Sequence, residues 1–170
     1  MSNSDVTLTW DEAMRAAWGY VHANELERAA VVGRVLRRKA AVHDVDMLVI
    51  PAPGVTLPKA EKPLNVCVTT RECWEPALMQ YGPAVESVIG TRARAKARGY
   101  TLNQYGLWRG GELVSRSAED ICALVEATVS QWVVRSLGGD LVLVPCRGEK
   151  PDAVRRCLLE VSHERGVART

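Results

Sequence analysis

Histidine is nearly absent from this sequence. His22, His43 and His163 are the only three in 170 residues, and their wide spacing argues against a histidine-based metal site or catalytic triad. Cysteine is little better placed. Cys67, Cys73, Cys122, Cys146 and Cys157 are odd in number and form no C-x-x-C pair, so neither a disulfide framework nor a zinc site is suggested and buried small hydrophobes is their reading. No apolar run approaches the roughly 20 residues that cross a bilayer, which sets membrane insertion aside. The opening residues, MSNSDVTLTWDE, lack both the basic segment and the apolar segment of a secretory signal, and a cytoplasmic setting is the expectation. A charge excess is missing too: Lys and Arg number 22 against 20 Asp and Glu, and the formal net charge of +2 implies no polyanionic partner by itself. There is no internal repeat and no low-complexity tract.

What is present fits one domain, or one domain with an appendage. The 170 residues are 47% hydrophobic and 25% charged, as in ordinary globular chains, and are enough to bury a core. The bases fall into two clusters, Arg34, Arg37, Arg38 and Lys39, then Arg92, Arg94, Lys96 and Arg98. Clustering matters more than totals for phosphate binding, although solvated faces would also account for it.

Thr9-Trp10-Asp11-Glu12 has capping-box spacing and opens a helix predicted to about Leu26. Ala29 to Gly33, Met47 to Ile50 and Leu64 to Val68 read as strands, the second closed by Pro51-Ala52-Pro53-Gly54. Helices are predicted over Cys73 to Gln80 and over Ala84 to Arg98, the latter stopped by Gly99. Leu102 to Trp108 and Glu112 to Ser115 make a hairpin about Gly110-Gly111, and Ser117 caps a helix that runs to Gly138-Gly139. Leu141 to Val144 is strand-like, and Asp152 to His163 is a last helix behind Pro151. Helices mixed with short strands predict an α+β fold, with helices on one face of the sheet and a small hairpin and helix after it.

Within VVGRVLRRKAAVHDVDMLVI, a glycine and four bases precede two aspartates one residue apart. In a strand, Asp44 and Asp46 point to the same side, roughly 7 Å apart at Cα. Two like charges so close call for a cation, and Mg²⁺ is typically held by one or two carboxylates together with phosphate oxygens. Arg37 and Arg38, in the preceding loop, lie within reach of a triphosphate that the metal neutralises only in part. Taken alone, the acid pair also suits a solvated strand edge.

These residues resemble a family. Gly33-Arg34-Val35-Leu36-Arg37-Arg38 followed by His43-Asp44-Val45-Asp46 is similar to the G-S-x-R-R…G-D-x-D signature of the X-family DNA polymerases, the polymerase beta-like nucleotidyltransferases. The likeness continues through Gln80-Tyr81-Gly82-Pro83-Ala84, where the family has Tyr-Phe-Thr-Gly-Ser. Gly99-Tyr100-Thr101-Leu102-Asn103-Gln104-Tyr105-Gly106-Leu107 resembles its G-hydrophobic-x-L-N-E-Y-G-L, and Ser117 to Ile121 its x-x-E-E-D-I. The resemblance covers about residues 10 to 128. It implies a palm over residues 1–98, a thumb over 99–130, and an unassigned strand and helix over 131–170 packed on the domain. It further implies that Asp44 and Asp46 bind both metals, Mg²⁺ or Mn²⁺, and that Asn65 stands third in the catalytic set. Gly33, Arg34, Arg37, Gln80 and Tyr81 would contact a nucleoside triphosphate, and Arg92, Arg94 and Lys96 a nucleic acid.

The departures bear on activity. Asn65 replaces the third carboxylate and cannot take a proton from a 3′-hydroxyl. Arg34 replaces a serine, Gln80 and Tyr81 an aromatic pair, Pro83 a glycine, and Val88 an asparagine. Two readings stay open: a minimal nucleotidyltransferase of weak or lost activity, and a catalytically inactive module that binds nucleic acid or a protein partner.

Overall fold

A computed structural model describes residues 7–39 and 41–139, and the backbone of 142–143. The predicted helix over 152–163 lies outside the described residues.

Helix α1 (Trp10–Ala23) opens on a complete capping box, in which the Thr9 hydroxyl accepts from the Glu12 amide and the Glu12 carboxylate accepts from the Thr9 amide. It stops short of Leu26 because Asn24 turns back to donate to the Tyr20 carbonyl and its own backbone is extended. Strand β1 (Leu26–Val31) follows at once. Gly33 does not end that strand; it opens the helical turn α2 (Gly33–Leu36). β2 (Val45–Pro51) then runs antiparallel to β1 and parallel to β3 (Leu64–Val68), with Asp46 opposite Asn65 in register.

β1 and β2 are apolar on both faces, which decides the layering. Ala29, Val31, Val45, Met47 and Val49 pack on Ala13, Met14, Ala17, Trp18 and Val21 of α1. Residues of the opposite parity, Ala30, Leu48 and Ile50, pack on α3 (Trp74–Tyr81) through Trp74, Ala77 and Leu78. Strands buried on both sides read as continuous apolar runs, and β2 reads that way. The α+β class thus holds with one more layer than the sequence suggested.

α4 (Val85–Ala97) ends in a Schellman motif, with Gly99 at φ 78 and the Tyr100 amide donating to the Ala95 carbonyl at 2.9 Å. Beyond it stands a three-stranded sheet of β4 (Thr101–Asn103), β5 (Gly106–Arg109) and β6 (Glu112–Ser115). The predicted strand over 102–108 is therefore two strands. The Asn103 side chain accepts from the Tyr105 amide and from the Trp108 indole, folding a turn that pattern alone does not reveal. Gly110 and Gly111, both at positive φ, make the second turn.

The predicted helix over 117–138 also divides. α5 (Ala118–Val125) stops where Glu126 adopts a left-handed backbone, φ 54, and α6 (Gln131–Leu137) restarts behind a Ser130 cap. Ala95, Leu107, Ile121 and Val125 form a small core for α4, β5 and α5. Val133 of α6 is instead buried with α3 in the core of the four-stranded sheet. β7 (Val142–Leu143) completes that sheet against the free edge of β1. Cys73 and Cys122 are buried and Cys67 is half-buried; the other cysteines lie outside the described residues. Among the described residues no helix is long and apolar enough to cross a membrane.

Candidate functional site

Asp46 is the second residue of β2, so its side chain shares a face with Leu48 but lies beyond the apolar layer that α3 covers. Asp44 precedes the strand and is exposed. The strand begins two residues earlier than the predicted Met47 and takes in Asp46 but not Asp44, whose charge still acts on Asp46 and raises its pKa. Parallel pairing brings Asn65 beside them, and its amide donates to Asp46 Oδ1 at 2.8 Å. The other carboxylate oxygen lies over Gly33. A Cβ on that glycine would stand 2.3 Å from Asp46 Oδ2, and φ +65 there already disfavours a side chain. The Val32 amide donates to the Asp46 carbonyl at 2.9 Å, tying the glycine turn to β2. Burial pushes the Asp46 carboxyl above the usual range and Asp44 adds to the rise, against the Asn65 hydrogen bond and the charges of Arg37 and Arg34.

The two arginines owe their place to α2. Val35 and Leu36 are buried, so Arg34 and Arg37, three residues apart, share the outward side of the turn. Arg34 is exposed. Arg37 is half-buried and donates through Nη1 to the carbonyls of Gly82 and Pro83 at 3.0 and 3.1 Å, while its Nε is buried without a partner among the described residues. Burial lowers its pKa, which Asp46 and Glu86 partly restore. Arg38 is led away from the pair. Its left-handed backbone, φ 51, carries the guanidinium over the Trp10 ring at 5.6 Å.

Gln80 and Tyr81 part company. The Gln80 side-chain oxygen Oε1 accepts from Arg92, on the side where Gln80, Pro83, Val88, Arg92, Asn103 and Val133 line a cleft. Tyr81 instead lies against Cys67, and both groups are pushed up in pKa by burial. Cys67 stands two residues along β3 from Asn65 and feels the Asp46 charge. Sequence reading passed it over as a core cysteine, although the period of two in β3 places positions 65 and 67 on one face. Arg94 donates to the Glu126 carbonyl and Arg98 pairs with the Glu126 carboxylate, so these bases join α4 to the end of α5. Lys96 stays exposed on α4.

No family model matches the chain, and no curated protein does. Among solved structures it is similar to the polymerase beta of Leishmania infantum, described as a ternary P/T complex, with a TM-score of 0.57 over 77% of each chain and 14% identity. The chain has a polymerase beta-like fold. Within that fold, Gly33, Arg34, Arg37, Asp44, Asp46 and Asn65 form one cluster, whereas Arg92, Arg94 and Lys96 lie along α4.

Whether the cluster suits a divalent cation rests on its donors. Asp44 and Asp46 are hard oxygen ligands of the kind that hold Mg²⁺ together with phosphate. Asn65 presents an N–H to Asp46, which is a hydrogen-bond donor and not a ligand. Among the described residues no three of His, Cys, Asp and Glu gather as a ligand set. Two carboxylates are therefore what the described residues offer a cation here.

Proposed function

We propose that this chain is a minimal nucleotidyltransferase that slowly joins the α-phosphate of a nucleoside triphosphate to a nucleic-acid 3′-hydroxyl, breaking the bond to the β-phosphate and releasing pyrophosphate, with Mg²⁺ or Mn²⁺. One observation supports the reading: Asn65 donates to Asp46, whose other carboxylate oxygen lies over Gly33, and the charges of Asp44, Arg34 and Arg37 act on that same carboxylate. Asp44 and Asp46 hold the divalent ion, which when bound neutralises phosphate charge. Arg34 meets the phosphates from the open side. Arg37 secures the Gly82–Pro83 segment and so sets the wall against which the nucleotide lies. Gly33 lets the backbone of the turn approach the Asp46 carboxylate. Asn65 accepts no proton, so the 3′-hydroxyl loses its proton to water and the rate lacks the factor of about 10² to 10⁴ that a positioned base supplies. Residues 1–98 serve as palm and 99–130 as thumb, with Lys96 and its neighbours on α4 toward the nucleic acid.

The Asn65 amide also favours a second reading, a module that binds nucleotide and nucleic acid without transfer. Incubation with primer–template, each dNTP or rNTP, and Mg²⁺ or Mn²⁺ separates the two. Extension that vanishes in Asp44→Ala and rises at least tenfold in Asn65→Asp is the expected result. A nucleotide-induced thermal shift without extension selects the second reading. Neither shift nor extension would sink both.

A further inference from the structure

Asp46 has little left to offer a second cation. Its Oδ1 accepts the Asn65 N–H at 2.8 Å, and its Oδ2 is pressed against the Gly33 turn so closely that a Cβ there would lie 2.3 Å away. Two divalent ions in one nucleotidyl-transfer site sit about 3.5 to 4 Å apart and share carboxylate oxygens. The strand partner that would contribute the extra charge is an amide, and its N–H carries partial positive charge into the space between β2 and β3. Turning the amide to present its oxygen would break the bond to Asp46 and leave Oδ1 without that donor. Nor, among the described residues, does a third acid gather with Asp44 and Asp46. Glu86 acts on Arg37, and the charges acting on Asp46 are those of Asp44, Arg37 and Arg34. Arg34 and Arg37 bring positive charge to the same cluster, which further disfavours a second dication beside only two carboxylates.

We infer that this site takes one divalent cation together with the triphosphate, not a pair, because the Asn65 amide stands where the second would be held. The inference rests on the nucleotidyltransferase reading and narrows it: the ion retained would be the one shared with phosphate, held by Asp44 and Asp46. The absent one is the ion that would bind the attacking hydroxyl.

Asn65 is exposed, so its replacement leaves the apolar core untouched. The test counts Mn²⁺ bound to the full chain by electron paramagnetic resonance, with saturating α,β-imido deoxynucleoside triphosphate and the Mn²⁺ held by free analogue subtracted. The wild type is expected to bind one ion per chain, Asp44→Ala none, Asn65→Ala one and Asn65→Asp two. Thermal melts without metal check that each variant is folded. Two ions on the wild type or on Asn65→Ala, or one on folded Asn65→Asp, would overturn the one-cation assignment while leaving nucleotide binding intact. No bound ion on the wild type, with no analogue-induced shift in Tm, overturns the nucleotidyltransferase reading itself and this inference with it.

Discussion

Gly33 and Asp46 meet so closely that a side chain on the glycine would collide with the carboxylate. Gly33→Ala adds two penalties, a left-handed alanine worth about 1–2 kcal/mol and a Cβ 2.3 Å from a carboxylate oxygen that must then move. Gly54 has φ +78 and open space around its would-be Cβ, so Gly54→Ala carries the backbone penalty alone. Chemical denaturation should show a loss of about 1–2 kcal/mol for Gly54→Ala and a larger one for Gly33→Ala. Only the latter should abolish the nucleotide-induced thermal shift. At this scale the sequence was informative about which residues meet. The aspartates were legible from the period of a strand, whereas Gly33 and Asn65 were reached only through the resemblance to the polymerase family. What Arg37 and Tyr81 touch was not. Their partners, the carbonyls of Gly82 and Pro83 and the thiol of Cys67, are 45, 46 and 14 residues away and belong to other elements.

The elements began where local chemistry says they should and ended less predictably. The capping box of α1 is a local device, and Thr9→Ala should lower stability by about 1 kcal/mol. Its pH dependence has a definite sign. The Thr9 amide, then the Thr9 hydroxyl, holds the Glu12 carboxyl below its ordinary value. That contribution is complete above the ordinary glutamate pKa and is lost as the pH falls through the lowered one. Urea midpoints of wild type and Glu12→Gln should therefore differ at pH 7 and converge in acid, where Glu12 is itself protonated; a constant difference between pH 7 and 3 would refute the assignment. The splits of the predicted 102–108 strand and 117–138 helix have a common cause. Asn103 and Glu126 turn the chain by a side-chain hydrogen bond and by a left-handed backbone, and neither disturbs the hydrophobic period on its two sides. Glu126 further pairs with Arg98, a contact across 28 residues that helps hold the chain at the break.

Across the whole molecule, the segment after α5 returns to the first sheet. Val133 is buried against α3, and β7 adds a fourth strand to β1. Val133→Ala should cost about 2 kcal/mol and lower the Tm by several degrees, whereas Val134→Ala, at 55% exposure, should change it little. Equal effects of the two would show that α6 does not pack as described. By itself the sequence determined the α+β class, most strand and helix starts, and the order in which glycine, bases and acids arrive, because those follow from periodicity, capping and spacing along a single chain. Tertiary structure alone decided that both faces of β1 and β2 are covered, that Arg37 holds the Gly82–Pro83 segment, and that Asn65 gives its proton-bearing nitrogen to Asp46. Each depends on which surfaces meet when distant elements pack, and that is set by burial and hydrogen bonding between elements that no local pattern records.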